Sequence, residues 1–175
     1  MTSDHKMDQS DFSAWAEHEH EHMFKLFEDL DQTFRRLARQ KLKGAQLGEA
    51  LEQAVDDLNG ALEDTLEHFG EEEEVYFSAI ETHVPALAPQ IQELIDAHEG
   101  ICAQIRQLKR QLSTLAAQGA AMDDASLEAL VSRVHGLVAS MRAHNTQEHT
   151  VFNRAQALMG DAWDRPAGSG AGLNK

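Results

Sequence analysis

Four segments of the chain carry apolar residues at alternating intervals of three and four positions, and this spacing constrains the fold more than any other feature. The segments span about 10–41, 46–82, 89–118 and 123–159. An apolar stripe of this period occupies the face of an α-helix that packs against a core. Only three prolines occur in 175 residues, so little interrupts the helices. Because the connections are short, the sequence predicts an all-α, antiparallel up-down-up-down four-helix bundle.

The two ends of the chain lack this pattern. Residues 1–10 are polar, and residues 160–175 are rich in glycine. We therefore predict disordered, flexible N- and C-terminal tails on either side of a single domain at 11–159. A chain of this length is expected to form one core rather than two.

The charge and the cysteine content narrow the classes of partner and compartment. Thirty acidic and fifteen basic residues give a net charge of −15, which argues against binding to nucleic acid or to an anionic membrane surface. No run approaches the ~20 apolar residues of a membrane span. Cys102 is the single cysteine, so an intramolecular disulfide is excluded. With no targeting segment visible, the predicted compartment is the cytoplasm.

Histidines and glutamates interrupt each apolar stripe at one level of the predicted bundle. A buried imidazole or carboxylate has to be paired or bound to a metal, because desolvating it alone costs several kcal/mol. Each of the four histidines lies about 20–22 residues from a connecting loop, so a rise of ~1.5 Å per residue places all four within one turn of a common layer. The candidate metal ligands are His20, His68, Glu72, His98, His144 and Glu148.

The same arrangement occurs twice along the chain. The histidines of the first two helices are 48 positions apart and those of the last two are 46 apart, and each half contains one His-x-x-x-Glu pair. This spacing puts both side chains of a pair on one helix face. Four imidazoles and two carboxylates exceed what one tetrahedral zinc needs, whereas two carboxylates can bridge two metals. Nitrogen-rich ligation with carboxylates favours iron, with manganese or zinc accepted in part.

Three segments carry these residues in a distinctive context: HFGEEEEVYFSAI at 68–80, IDAHEGICAQI at 95–105 and HNTQEHTVFNRA at 144–155. Together they resemble the hemerythrin family in its bacterial His-His-Glu cation-binding form. The resemblance extends over about 12–159. Ser78 occupies a position where the family usually has proline.

The resemblance implies a non-haem centre of two iron ions with an oxo or hydroxo bridge. Each iron would receive two imidazoles, and two carboxylates would bridge the pair. The implied ligands are His20 and His68 for one iron, His98 and His144 for the other, and Glu72 and Glu148 as bridges.

Cys102 lies four residues after His98, where the respiratory members of the family have a further histidine. The cysteine is either a ligand or a small buried apolar residue. Alternatively, Glu19, His22 or water completes the coordination. This departure weighs against simple reversible oxygen carriage, because a more open iron position invites peroxide or redox chemistry.

The other histidines and acids have simpler interpretations. The run at 18–22 formally satisfies the zinc-protease pattern H-E-x-x-H, but any alternation of His and Glu does so by composition. Ferritin-type Glu-x-x-His spacings occur only in the first helix, whereas that site needs them on two. Residues expected at the surface, or as histidines satisfied elsewhere, are His5, Glu71, Glu73, Glu74, His83, His135 and His149.

The leading hypothesis is a non-haem di-iron protein that binds dioxygen or a related small oxidant (peroxide or nitric oxide) for sensing, storage or stress protection. One alternative is a di-iron oxidoreductase that decomposes peroxide, and another is an iron-responsive interaction module whose protein partner the sequence does not identify. Apolar residues around the ligands are expected to exclude water from the site. These are Met23, Phe69, Ile101, Met141 and Phe152.

Overall fold

The computed structural model describes the backbone of residues 9–40, 42, 45–118 and 123–159. It describes the side chains at 21–40, 42, 45–117 and 123–159. Within these ranges the chain is helical almost throughout and forms no strand, which confirms the all-α class. The tail predicted at 160–175 and the first eight residues of the tail predicted at 1–10 lie outside the described residues.

Four long helices account for most of the described chain, and their ends fall close to the predicted ones. A short helix, α3, follows the second of them. The helices are α1 (Gln9–Gln40), α2 (Ala45–Glu71), α3 (Ser78–His83), α4 (Ala88–Gln118) and α5 (Asp124–Met159).

The second predicted helix, 46–82, is not uniform. Its α-helical part ends at Glu71, and a π-helical turn at Glu72–Phe77 leads into α3. Because a π turn bonds residue i to i+5, it holds one residue more than an α turn and shifts the face that follows. The spacing of three and four in the second segment predicts an apolar stripe that runs from Leu51 through Tyr76 to Ala79. This prediction is wrong at its end, because Phe77 and Ile80 are buried, while Ala79 is only partly so.

Local sequence signals account for the ends of α3 and the start of α5. Val84 follows α3 with a non-helical backbone (φ −133°, ψ 67°), since the α conformation is disfavoured before proline, and a 3-10 turn at Pro85–Leu87 then leads into α4. Asp123 caps α5, because its Oδ1 accepts the backbone N–H of Ser126 at 2.7 Å. Hydrogen bonds from the side chain and the backbone of Ser126 lower the pKa of Asp123.

The long helices pack in adjacent pairs around two apolar clusters. Helix α2 packs against α1 and α4, and α5 packs against α1 and α4. The larger cluster contains Phe69, Ile101 and Met141, and the smaller one contains Phe77 and Phe152. Between the two clusters the core is interrupted by polar side chains.

Polar contacts join neighbouring helices at the surface. Between α1 and α5, Glu28 accepts from Arg142 at 2.9 Å, and Arg35 contacts His135 at 2.8 Å. Between α4 and α5, Gln147 donates to Glu93 at 3.0 Å and Gln104 donates to Ser140 at 3.3 Å. In the described part of the chain, no helix is both long and apolar enough to cross a membrane.

Truncation of Leu58 tests the core. Its side chain is fully buried in α2, so Leu58→Ala should lower the free energy of unfolding by about 2–5 kcal/mol, through lost burial and the cavity left behind. Leu66, on the same helix, is 44% exposed, and Leu66→Ala should change this free energy by less than about 1 kcal/mol. Urea unfolding of the metal-free protein measures both; equal losses would contradict the assignment.

Candidate metal centre

Six polar side chains are buried among the residues whose side chains the structure describes. One of them, Thr65, is satisfied locally, because its hydroxyl donates to the carbonyl of Ala61 at 2.6 Å. The other five are all predicted ligands: His68, Glu72, His98, His144 and Glu148.

These five side chains come from α2 with its π turn, from α4 and from α5. His68 lies in the last turn of α2, and Glu72 is the first residue of the π turn. His98 lies in α4, and α5 supplies the last two candidates, His144 and Glu148. The sixth candidate, His20, lies in α1, but its side chain is outside the described residues.

The carboxylate of Glu72 lies between two imidazoles. Its Oε1 is 2.9 Å from Nε2 of His68, and its Oε2 is 3.3 Å from Nε2 of His98. The two oxygens of one carboxylate thus face histidines from two different helices, α2 and α4. This is the arrangement that a carboxylate bridging two metal ions requires.

A second contact brings His98 and His144 together. Their Nε2 atoms are 3.1 Å apart, and Oε2 of Glu148 is 3.6 Å from Nε2 of His144. Two nitrogens bound to one metal at ~2.1 Å lie about 3.0 Å apart at a right angle and about 3.4 Å apart at a tetrahedral angle. The donor atoms of Glu72, His98 and His144 all lie within 4.8 Å of one another, so they fit around one cation.

Residues 69–77, at the end of α2 and in the π turn, contact the imidazole of His98. Phe69 stacks on it with a centroid distance of 3.7 Å and an interplanar angle of 6°, and Phe77 stacks at 5.5 Å and 20°. On the side of the ring opposite Nε2, Nδ1 lies 2.7 Å from Oε1 of Glu73. Because a carboxylate only accepts, the Nδ1–H of His98 donates this bond.

Buried aromatic side chains adjoin the cluster, and Phe69 contacts His68, His98 and His144. Tyr76, one turn beyond Glu72, is also buried and meets Phe152 edge-on at 6.4 Å. Burial raises the pKa of the Tyr76 hydroxyl, and the nearby carboxylates of Glu71 and Glu72 raise it further. The predicted water-excluding residues are all buried: Met23, Phe69, Ile101, Met141 and Phe152.

Cys102 is a buried residue of the larger apolar cluster, 4% exposed. Burial raises the pKa of its thiol; Arg106 lowers it and Glu73 raises it by smaller amounts. The environment is that of a small core residue, which is one of the two interpretations that the sequence left open.

Most of the residues expected at the surface are exposed. His22, one of the alternative ligands, is also exposed, and the side chain of the other, Glu19, is outside the described residues. The exposed group comprises Glu71, Glu74, His83, His135 and His149. Glu73 differs from this group, because its carboxylate turns toward the site and contacts His98. Its side chain is only partly exposed, at 37%.

Sequence reasoning missed Glu73 and Phe77. Both follow Glu72 in the run EEEVYF, and the α-helical period assigns them to faces away from the site. The run of four glutamates at 71–74 resembles a solvated face, and nothing in it marks which acid turns inward. The π turn alters the direction of these side chains, and no residue type in the run specifies that turn.

Buried imidazoles and carboxylates between helices define the class of protein: an all-helical protein with a candidate metal-binding centre. A family model described as the hemerythrin HHE cation-binding domain matches residues 11–155. The match covers most of the chain, so this chain belongs to the hemerythrin family, which confirms the resemblance found in the sequence. Comparison with curated proteins and with solved structures gave no match.

The burial of Cys102 predicts low thiol reactivity. At pH 8 the folded protein should react with iodoacetamide much more slowly than the same protein in urea, because burial blocks access and the raised pKa leaves less thiolate. Mass spectrometry of timed samples measures the modified fraction. Equal rates in the two conditions would show that the thiol is accessible in the folded state.

Proposed function

We propose that the buried cluster holds a non-haem di-iron centre, and that the protein binds dioxygen or a related small oxidant there for sensing, storage or stress protection. The observation that carries this proposal is the position of Glu72, whose two oxygens face His68 and His98 separately. Membership of a family named for cation binding supports it.

The ligands divide into two sets in this proposal. His98 and His144 would hold one iron, since their Nε2 atoms face each other across 3.1 Å. His68 would hold the other together with His20, which the sequence pattern supplies. Glu72 and Glu148 would bridge the two ions. Both carboxylates are fully buried, and two cations would offset the desolvation that their charges incur.

The donor set and its surroundings favour iron and a small oxidant. Imidazole and carboxylate ligands suit iron, which when bound supplies reversible electron exchange with dioxygen. Phe69 lies against His98 and His144, and Met141 is buried one turn before His144, so apolar side chains adjoin the proposed ligands. Exclusion of water favours binding of a small neutral molecule and limits the escape of charged products.

We infer an antiparallel up-down-up-down topology for the helices that position the ligands. The surface contacts support it: between α1 and α5, residue 28 meets 142 and residue 35 meets 135. Between α4 and α5, residue 93 meets 147 and residue 104 meets 140. In both pairs the residue numbers rise along one helix as they fall along the other.

Metal content of matched variants tests the proposal. The wild-type protein, loaded anaerobically with ferrous iron and desalted, should retain two irons per chain. Glu72→Ala removes the proposed bridge and should leave fewer than two; His144→Ala should do the same. His149→Ala is the control, because this exposed histidine lies in the same turn of α5 as Glu148, and it should retain two irons.

Admission of air to the loaded protein completes the test. A visible charge-transfer band should appear with oxygen and disappear when the oxygen is removed. One zinc per chain and no iron retained would overturn the di-iron centre. Two irons without any reversible spectral change would uphold the centre and overturn oxygen binding.

Peroxide decomposition is the second candidate function. The observation that favours it is the burial of Cys102 among apolar residues, one turn beyond His98, because a thiol in the core leaves the adjacent iron position more open than an imidazole would. In this case the iron-loaded protein should consume hydrogen peroxide catalytically. Cys102→His should lower that rate and favour reversible oxygen binding, provided that circular dichroism shows the same helix content.

No catalytic consumption by the wild-type protein would rule the second candidate out. An unchanged rate in a folded, iron-loaded Cys102→His variant would separate the activity from this position. Oxygen electrode and peroxide absorbance measurements on the same samples distinguish the two functions.

A further inference from the structure

Four residues of one nine-residue segment surround the imidazole of His98. Phe69 and Phe77 stack against it, and Glu72 and Glu73 contact its two nitrogens. The side chain of His98 is 3% exposed. Every contact in this set reaches His98 from the junction between α2 and the π turn.

His98 contacts two consecutive glutamates, Glu72 and Glu73, which is unusual for neighbours in a helix. In an α-helix, successive side chains point about 100° apart, so neighbours in sequence seldom face the same partner. Here Oε2 of Glu72 is 3.3 Å from Nε2, and Oε1 of Glu73 is 2.7 Å from Nδ1, on the opposite side of the ring. Both glutamates lie in the wider π turn, a feature that often accompanies functional sites.

We propose that Glu73 is a positioning residue for His98. By accepting the Nδ1–H, it fixes the orientation of the imidazole and leaves Nε2, which faces Glu72 and His144, as the nitrogen available to a metal. Phe69 and Phe77 restrict rotation of the ring about the same orientation. A carboxylate that fixes a ligating histidine in this way also raises its basicity toward a metal.

The geometry separates this role from that of a direct ligand. Glu73 approaches Nδ1, whereas the atoms that meet Glu72 and His144 are on the Nε2 side. Its carboxylate therefore acts through the imidazole and does not share a metal with Nε2. Its side chain is 37% exposed, so its removal should leave the apolar core intact.

The orientation of His98 can be tested without any metal. In ¹⁵N-histidine-labelled, metal-free protein, one imidazole should show an Nδ1–H resonance protected from solvent exchange by its hydrogen bond. Glu73→Ala should remove that protection, and Glu73→Gln should keep it, because the amide oxygen still accepts. Glu74→Ala, which removes an exposed acid from the same π turn, should leave the spectrum unchanged.

The effect on metal binding rests on the proposed function and is measured separately. Anaerobic competition with a chelator gives the affinity for ferrous iron. Glu73→Ala should weaken it about 10- to 100-fold, the usual consequence of losing such a partner of a ligand. Glu73→Gln should retain most of the affinity, and Glu74→Ala should match the wild type.

The outcomes distinguish this proposal from the proposed function. If the wild-type protein binds no iron but protection of the Nδ1–H depends on Glu73, the di-iron proposal fails and the positioning role stands. If Glu73→Ala behaves as Glu74→Ala does in both measurements, the positioning role is overturned. If Glu73→Gln keeps the Nδ1–H protected but weakens iron binding as much as Glu73→Ala, the carboxylate acts only through its charge, and the positioning role is again overturned.

Discussion

Glu72 and Glu148 lie fully buried between two apolar clusters, where a carboxylate has to be offset by neighbouring groups. Three imidazoles meet these carboxylates, and their nitrogen and oxygen atoms approach to 2.9–3.6 Å. This requirement constrains the rest of the fold. Helices α2, α4 and α5 have to pack in a register that brings their buried histidines and glutamates to the same level of the core. An apolar core without the cluster would need no such register between helices.

The π turn at Glu72–Phe77 interrupts the regular α-helix directly after the cluster residue Glu72. It follows the His-x-x-x-Glu pair of α2, so the spacing of His68 and Glu72 is still that of an α-helix. Beyond Glu72 the wider turn directs Glu73 toward one edge of His98 and Phe77 toward its face. A single segment thereby contacts both nitrogens of this histidine and stacks two phenylalanine rings against it. A bundle helix that continued regularly would have buried Ala79 instead of Ile80.

The level of the site could be predicted because helices have a fixed rise per residue. Counting from the loops placed His68, His98 and His144 in one layer, and the structure brings their side chains together. Burial of His68 was harder to predict, since a plain helical wheel puts it at the margin of its apolar stripe. The contact with Glu72 explains why it lies inside. Glu73 could not be told from Glu71 and Glu74 because all three are the same residue type in one run.

The sequence by itself determined the helical class, the approximate helix ends, the family and the identity of the buried polar residues. These follow from periodicity and residue type, which are local properties of the chain. Only the tertiary structure decided which oxygen of Glu72 faces which histidine, and which of the neighbouring acids reaches His98. These contacts depend on the π turn and on the packing of α2, α4 and α5, in which residues far apart in sequence determine how each side chain is oriented. The periodicity of a single helix does not contain this long-range information.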